Sequence, residues 1–276
     1  MKKITSLLLP ALAFLQVSAQ KLPNVQQISL RVPANIKVDG KATEWGDKFQ
    51  AYNTATELYY TIANDSKKLY LIAKTDDQKV FNNIINGGIR INIQKANNKT
   101  DAGALGVKYP YLEKGKLVLF TLHKKGEIPP RKELADHIAD SVMTASNKKL
   151  ATNIKWIYTN GLAGVDSILA IYNDKGIEAA GAFDVKKSYT CELAIDLKLL
   201  GLSAENASKF AYHITVNAEP NKFSMGQFFG PITGGTNADG SPMSQAQLDA
   251  VTQNMQKTAN DISATTDFWG EYTLAK

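Results

Sequence analysis

Two alternating segments carry the side chains best suited to hold a ligand. In Ile89-Arg-Ile-Asn-Ile-Gln94 every second residue is isoleucine, which places Arg90, Asn92 and Gln94 together on the other face of a strand. In the stretch Phe210 to Ala218, His213, Thr215 and Asn217 fall on one face in the same way. Guanidinium, amide, imidazole and hydroxyl groups fixed on a rigid sheet are the donors and acceptors that sugar hydroxyls require. Trp156, in Lys155-Trp-Ile-Tyr158, faces opposite Ile157, and an exposed indole stacks on the C–H face of a sugar ring. Trp156, Arg90, Asn92, His213 and Asn217 are therefore the expected ligand-binding residues. The competing expectations are a plain solvated sheet face for the polar residues and a packing role for the tryptophan.

Other chemistry is thinly supplied. Glycoside hydrolysis needs two carboxylates about 5 to 10 Å apart, for which Asp76-Asp77 and Glu192 with Asp196 are the candidates. Adjacent aspartates at a strand end also suit a turn or an oxygen-ligand site. If Asp76 and Asp77 hold a metal, Ca²⁺ fits best, because the donors are oxygens and the only thiol is Cys191. Cys191 alternates with Tyr189, Leu193 and Ile195 and so reads as a buried structural thiol, with no disulfide open to it. The histidines at 123, 137 and 213 lack zinc-ligand spacing. The run ending Asp-Gly240 lacks the spaced acids of a calcium loop and reads as a turn, and no nucleophile elbow, phosphate loop or dinucleotide fingerprint occurs. A non-catalytic protein is the expectation.

The elements that must position these residues are mostly strands. About eleven alternating runs, among them Gln27 to Val32, Lys68 to Thr75, Lys116 to Leu122 and Tyr189 to Asp196, are punctuated by Asn, Asp and Gly turns. An all-β, antiparallel β-sandwich with jelly-roll or immunoglobulin-like layers follows, since no regular strand-helix alternation is present. Two helical insertions interrupt it. One runs from Arg131 to Ala145 with Leu134, Ile138 and Val142 at four-residue steps. The other follows Ser244-Gln-Ala-Gln247, a capping box, with Leu248, Val251, Met255, Ala259 and Ile262 in one stripe. These helices are expected to cover the sandwich, with a protein partner as the alternative. The chain is expected to be one domain over 20–276, with insertions near 96–150 and 219–265.

Lys2 and Lys3, the apolar run Leu7 to Val17 and the small residues Val17-Ser18-Ala19 read as a secretory signal peptide over 1–19. Gln20, not a cysteine, stands directly after the cleavage point, so a lipid anchor is not expected, and no apolar run is long enough to span a bilayer. A secreted or periplasmic protein is the expectation. The 276 residues are 44% hydrophobic and 21% charged, which supports a packed core and excludes a disordered chain. The formal charge of +6 is spread among acids rather than gathered in a stripe, so nucleic acid is an unexpected partner.

Four stretches occur in a recognisable order: Ile36-Lys-Val-Asp-Gly-Lys-Ala-Thr-Glu-Trp45, Lys68-Leu-Tyr-Leu-Ile-Ala-Lys-Thr-Asp-Asp77, Tyr189-Thr-Cys-Glu-Leu-Ala-Ile-Asp-Leu-Lys-Leu-Leu-Gly201, and Asp267-Phe-Trp-Gly-Glu-Tyr272. Together they resemble the family 9 carbohydrate-binding modules over roughly residues 28 to 275. The resemblance implies a secreted bacterial β-sandwich related to sugar-binding modules, linked to polysaccharide utilisation, with carbohydrate or cell-surface glycan as partner. It also implies structural roles for Trp45 and Trp269. Asp196 departs from the pattern, which has proline there, and the family's clamp of two exposed tryptophans has no evident counterpart.

Overall fold

Alternating apolar and polar residues become strands in the computed structural model, which describes residues 21–96, 98–113, 116–120, 132–206, 209–218, 234–237, 240–262 and 264–276. The expected leader and His123 lie outside these residues, and the side chains of 132–139 and 254–262 are likewise not described. The first sheet has the order β1 (Ala51–Asn53), β2 (Leu58–Asn64), β3 (Lys68–Thr75), β9 (Tyr189–Asp196), β8 (Ile177–Phe183). The second has the order β11 (Thr266–Thr273), β10 (Lys209–Val216), β4 (Ile89–Gln94), β5 (Leu105–Tyr111), β6 (Trp156–Asn160), β7 (Ile168–Ala170). Neighbouring strands are antiparallel throughout and neither sheet closes on itself, so the expected all-β sandwich is the architecture found.

The sheets face each other across one core. Ile89, Ile91 and Ile93 of β4 and Phe210, Tyr212 and Ile214 of β10 are at most 1% exposed and cluster with Leu69, Leu71 and Leu193 of the first sheet. Each such side chain contributes about 1.5–3 kcal/mol by leaving water. The core admits some paired polar atoms: the hydroxyls of Tyr60 and Tyr212 meet across the two layers at 3.0 Å.

The outward face of the first sheet is covered as well. Side chains between Leu30 and Phe49 cover it, and Trp45, Tyr70, Ile72 and Ala194 form a second apolar cluster flanked by Leu30, Ile36 and Val38. Glu192 of β9 is buried here, and both of its carboxylate oxygens are engaged. Trp45 Nε1 donates to Oε1 at 2.8 Å, while the backbone N–H groups of Asp39 and Gly40 donate to Oε2 at 3.0 and 2.8 Å. The Asp-Gly…Glu-Trp stretch and the Cys-Glu-Leu-Ala stretch are therefore two halves of one joint. Gly40 has φ +81°, and a β-carbon there would lie 2.7 Å from backbone atoms of Gly181 and Ala182.

Several expectations are corrected. Gln27 to Val32 is no regular strand; it touches β2 through one parallel bridge, Arg31 to Asn64. The Gln26 side chain replaces the ladder, accepting from Ile62 N at 2.7 Å and donating to Ile62 O at 2.8 Å. Lys116 to Phe120, the described part of the Lys116 to Leu122 run, is likewise not a strand. Its backbone is paired by asparagines of an unexpected helix, α1 (Gln78–Gly87): Asn86 serves the N–H and C=O of Val118, and Asn82 those of Phe120. Strand β5 was also not anticipated, because Gly106 and Pro110 break its pattern.

The expected helices are present as α2 (Lys132–Asn153) and α3 (Gln245–Ile262). In α2 the packed residues among those described are Met143, Ser146 and Leu150, while Val142 of the expected stripe is exposed; Leu134 and Ile138 of that stripe lie outside the described side chains. The capping box at α3 forms: Ser244 N donates to Gln247 Oε1 at 2.8 Å, and Leu248 is buried beneath it. No described helix is long and apolar enough to cross a membrane.

Candidate functional site

Alternation that buries the isoleucines of β4 turns its polar residues onto the outer face of the second sheet, where cross-strand register sets their neighbours. His213 of β10 lies opposite Asn92 of β4 on one side and Trp269 of β11 on the other. Thr215 lies between Arg90 and Asp267. Arg90 faces Lys108 of β5, which faces Tyr158 of β6, and Tyr111 faces Trp156. Three of the expected residues, Arg90, Asn92 and Trp156, thus share this face with His213.

The half of the face around His213 is internally satisfied. Nδ1 is 3.0 Å from Asp101 Oδ2, Nε2 is 3.0 Å from Asp267 Oδ1, and the ring stacks on Trp269 at 4.3 Å with an interplanar angle of 8°. Each ring nitrogen thus has a carboxylate within hydrogen-bond distance. Asn92 is 3% exposed and donates to Asp101 Oδ1 at 2.8 Å. Partial burial pushes the Asp101 carboxyl up, but hydrogen bonds from Asn92 and His213, with the charges of His213 and Arg90, hold it below its ordinary value. Next to this network Asn92 Oδ1 and Asn160 Oδ1 converge over Gly106, both buried without a hydrogen-bond partner.

The other half is aromatic and basic. The Tyr111 and Tyr158 rings lie 5.8 Å apart, and Lys108 Nζ stands over both, at 5.2 and 5.5 Å from their centroids. The Arg90 guanidinium lies 5.9 Å from the Tyr158 centroid. Trp156 is half-exposed, with Ile157 fully buried on the opposite side, and its Nε1 donates to Glu113 Oε1 at 3.2 Å. Glu113 is in turn 2.7 Å from Lys116, whose hydrogen bond and charge lower its carboxyl below the usual range, with a smaller contribution from Trp156.

The remaining expected residues lie elsewhere or act differently. Asn217 is just past the end of β10, where its Nδ2 donates to Gly88 O at 2.9 Å and ties the end of α1 to the sheet. Asp77 is the N-cap of α1, its Oδ1 accepting from Val80 N at 2.9 Å, and Asp76 beside it is exposed. Among the described residues no group of three or more histidine, cysteine or acidic side chains gathers around a metal-sized site. Glu192 is sealed in the joint described above, its carboxyl raised by burial against the pull of its three donors. Cys191 is buried, and burial pushes its thiol well up, away from the reactive thiolate.

Trp269, for which the resemblance implies a structural role, is half-buried on the outer face. Phe268, Gly270 and Tyr272 point inward, so alternation turns Trp269 outward onto His213. Lys108 and Tyr111 were missed with β5 itself, Tyr158 was passed over beside Trp156, and Asp101 belongs to a connection without periodicity. No protein-family model matches the chain, and no curated protein matches it.

Proposed function

We propose that this chain is a non-catalytic carbohydrate-binding β-sandwich, exported after removal of its leader, whose ligand lies on the outer face of the second sheet around Trp156 and Tyr158. The observation that carries this reading is the strip Trp156, Tyr158 and Tyr111 beside Arg90 and Lys108. Aromatic rings take the apolar face of a sugar, and the adjoining cations supply donors to its oxygens. The strands hold these side chains at fixed spacing, so little ordering is needed on binding. Of the carboxylates, Glu192 is sealed in the joint, and Asp101 and Asp267 are both engaged by His213.

Affinity electrophoresis of the chain against soluble polysaccharides, with Trp156→Ala and Tyr158→Ala in parallel, tests it. Retardation by at least one polysaccharide, lost in both variants, is expected. Equal retardation of the variants would place the ligand elsewhere.

A second reading, a protein-interaction sandwich, is favoured by a groove of about 360 Å³ along the free edge of β11, between Gln26–Ser29 and Trp269–Thr273. Its Ile28 is 55% exposed. An extended segment pairing with an open sheet edge is the form such binding takes. It predicts a protein partner and no retardation by any glycan.

A further inference from the structure

We infer that the aromatic face takes an acidic glycan and that Arg90 is the residue that reads its negative charge. This rests on the reading of that face as a sugar-binding surface and names the class of sugar.

The described carboxylates around the face have basic partners of their own. Asp101 and Asp267 bracket His213, Glu113 pairs with Lys116 at 2.7 Å, and Glu271 pairs with Lys209 at 2.7 Å. Arg90 differs from all the other cations of this set. Its charge is felt at Asp101, yet its Nε is buried with no hydrogen-bond partner, and its guanidinium is placed over the Tyr158 ring instead of on a carboxylate. A guanidinium presents a planar fork of donors that matches a carboxylate or sulfate, and a partly buried one without an acceptor is unfavourable until something supplies it.

Register adds a second positive charge at the same place. Arg90 and Lys108 are directly opposite on β4 and β5. Like charges in that position repel, and an anion bound between or above them relieves the repulsion. Both cations lean over Tyr158, and Trp156 is two residues along the same strand face. A uronate or sulfated sugar fits both features at once: its C–H face lies on the rings while its anionic group meets Arg90. A neutral sugar would offer the guanidinium only uncharged hydroxyl oxygens, weaker acceptors than a carboxylate or sulfate.

The test is calorimetric titration of the chain with polygalacturonate, its methyl ester, chondroitin sulfate and a neutral β-glucan, in the parent and in Arg90→Gln, Arg90→Lys and Lys198→Gln. Lys198→Gln makes the same change of charge on an exposed turn. The expected result is binding to an acidic polymer, weakened by about tenfold or more in Arg90→Gln and less in Arg90→Lys. Lys198→Gln should bind as the parent does. Binding to chondroitin sulfate that is lost on its chemical desulfation assigns sulfate as the anion, and binding to polygalacturonate with loss on its esterification assigns the carboxylate. The second comparison needs no variant and so stands even if Arg90→Gln does not fold.

Equal binding of the methyl ester or the neutral glucan overturns the inference while leaving the sugar-binding reading in place. Equal weakening by Lys198→Gln overturns it by showing attraction to net charge alone. Binding to none of the polymers overturns both.

Discussion

A β-carbon on Gly106 would stand 2.0 Å from Asn92 Oδ1 and 2.7 Å from Asn160 Oδ1, so the position is reserved for the two amides that meet above it. Gly106→Ala should push Asn92 off Asp101 and lower stability by about 1–3 kcal/mol, measured by urea unfolding. Asp101 makes a prediction about pH. Its carboxyl is depressed in the folded state, so the stability it contributes is complete above the ordinary aspartate range and is lost as pH falls through the depressed value. Asp101→Asn should therefore unfold at a lower temperature than the parent near neutrality, and the gap should close on acidification through that value. A gap independent of pH would show that the His213 network does not hold the carboxylate. Arg90, Asn92, His213 and Trp156 were legible in the sequence because alternation assigns a face residue by residue. Asp101 was not, because a connecting segment has no period to read.

At the scale of elements, α1 shows how a short helix escapes detection. Its signals were present: Asp77 as cap, Val80, Phe81, Ile84 and Ile85 on one side, and Gly88 at φ +85° closing it. They were outweighed by a ten-residue length and an asparagine- and glycine-containing composition of low helix propensity. Asp77→Ala should cost about 1 kcal/mol through the lost cap, while Asp76→Ala leaves stability nearly unchanged. If the cap is the whole role of Asp77, calcium and chelator leave both unfolding temperatures unaltered; a calcium-dependent rise in the parent that either variant abolishes would instead reveal a metal site. The joint between the N-terminal arm and β9 makes a sharper demand. Gly40→Ala combines a left-handed φ with a backbone clash, and its loss should reach about 2 kcal/mol or more, read by thermal unfolding. The Asp-Gly…Glu-Trp stretch stood out in the sequence, but its contact with Glu192 did not, because Trp45 and Glu192 are 147 positions apart.

For the whole molecule, two antiparallel layers could be read from the number and rhythm of the strands, whereas their order could not. β3 pairs with β9 and β10 with β4 across more than a hundred residues, and nothing in a local pattern encodes such partners. The proposed sugar-binding face depends on that order, since Arg90, Lys108 and Tyr158 come from three strands and meet only through register. Its most direct test is the tryptophan fluorescence of the intact chain titrated with neutral and acidic glycans, beside Trp156→Ala. A saturable change with at least one glycan, abolished in Trp156→Ala while its unfolding temperature holds, is the predicted result. A folded parent whose fluorescence no glycan changes, or a response that survives in full without Trp156, would contradict the account.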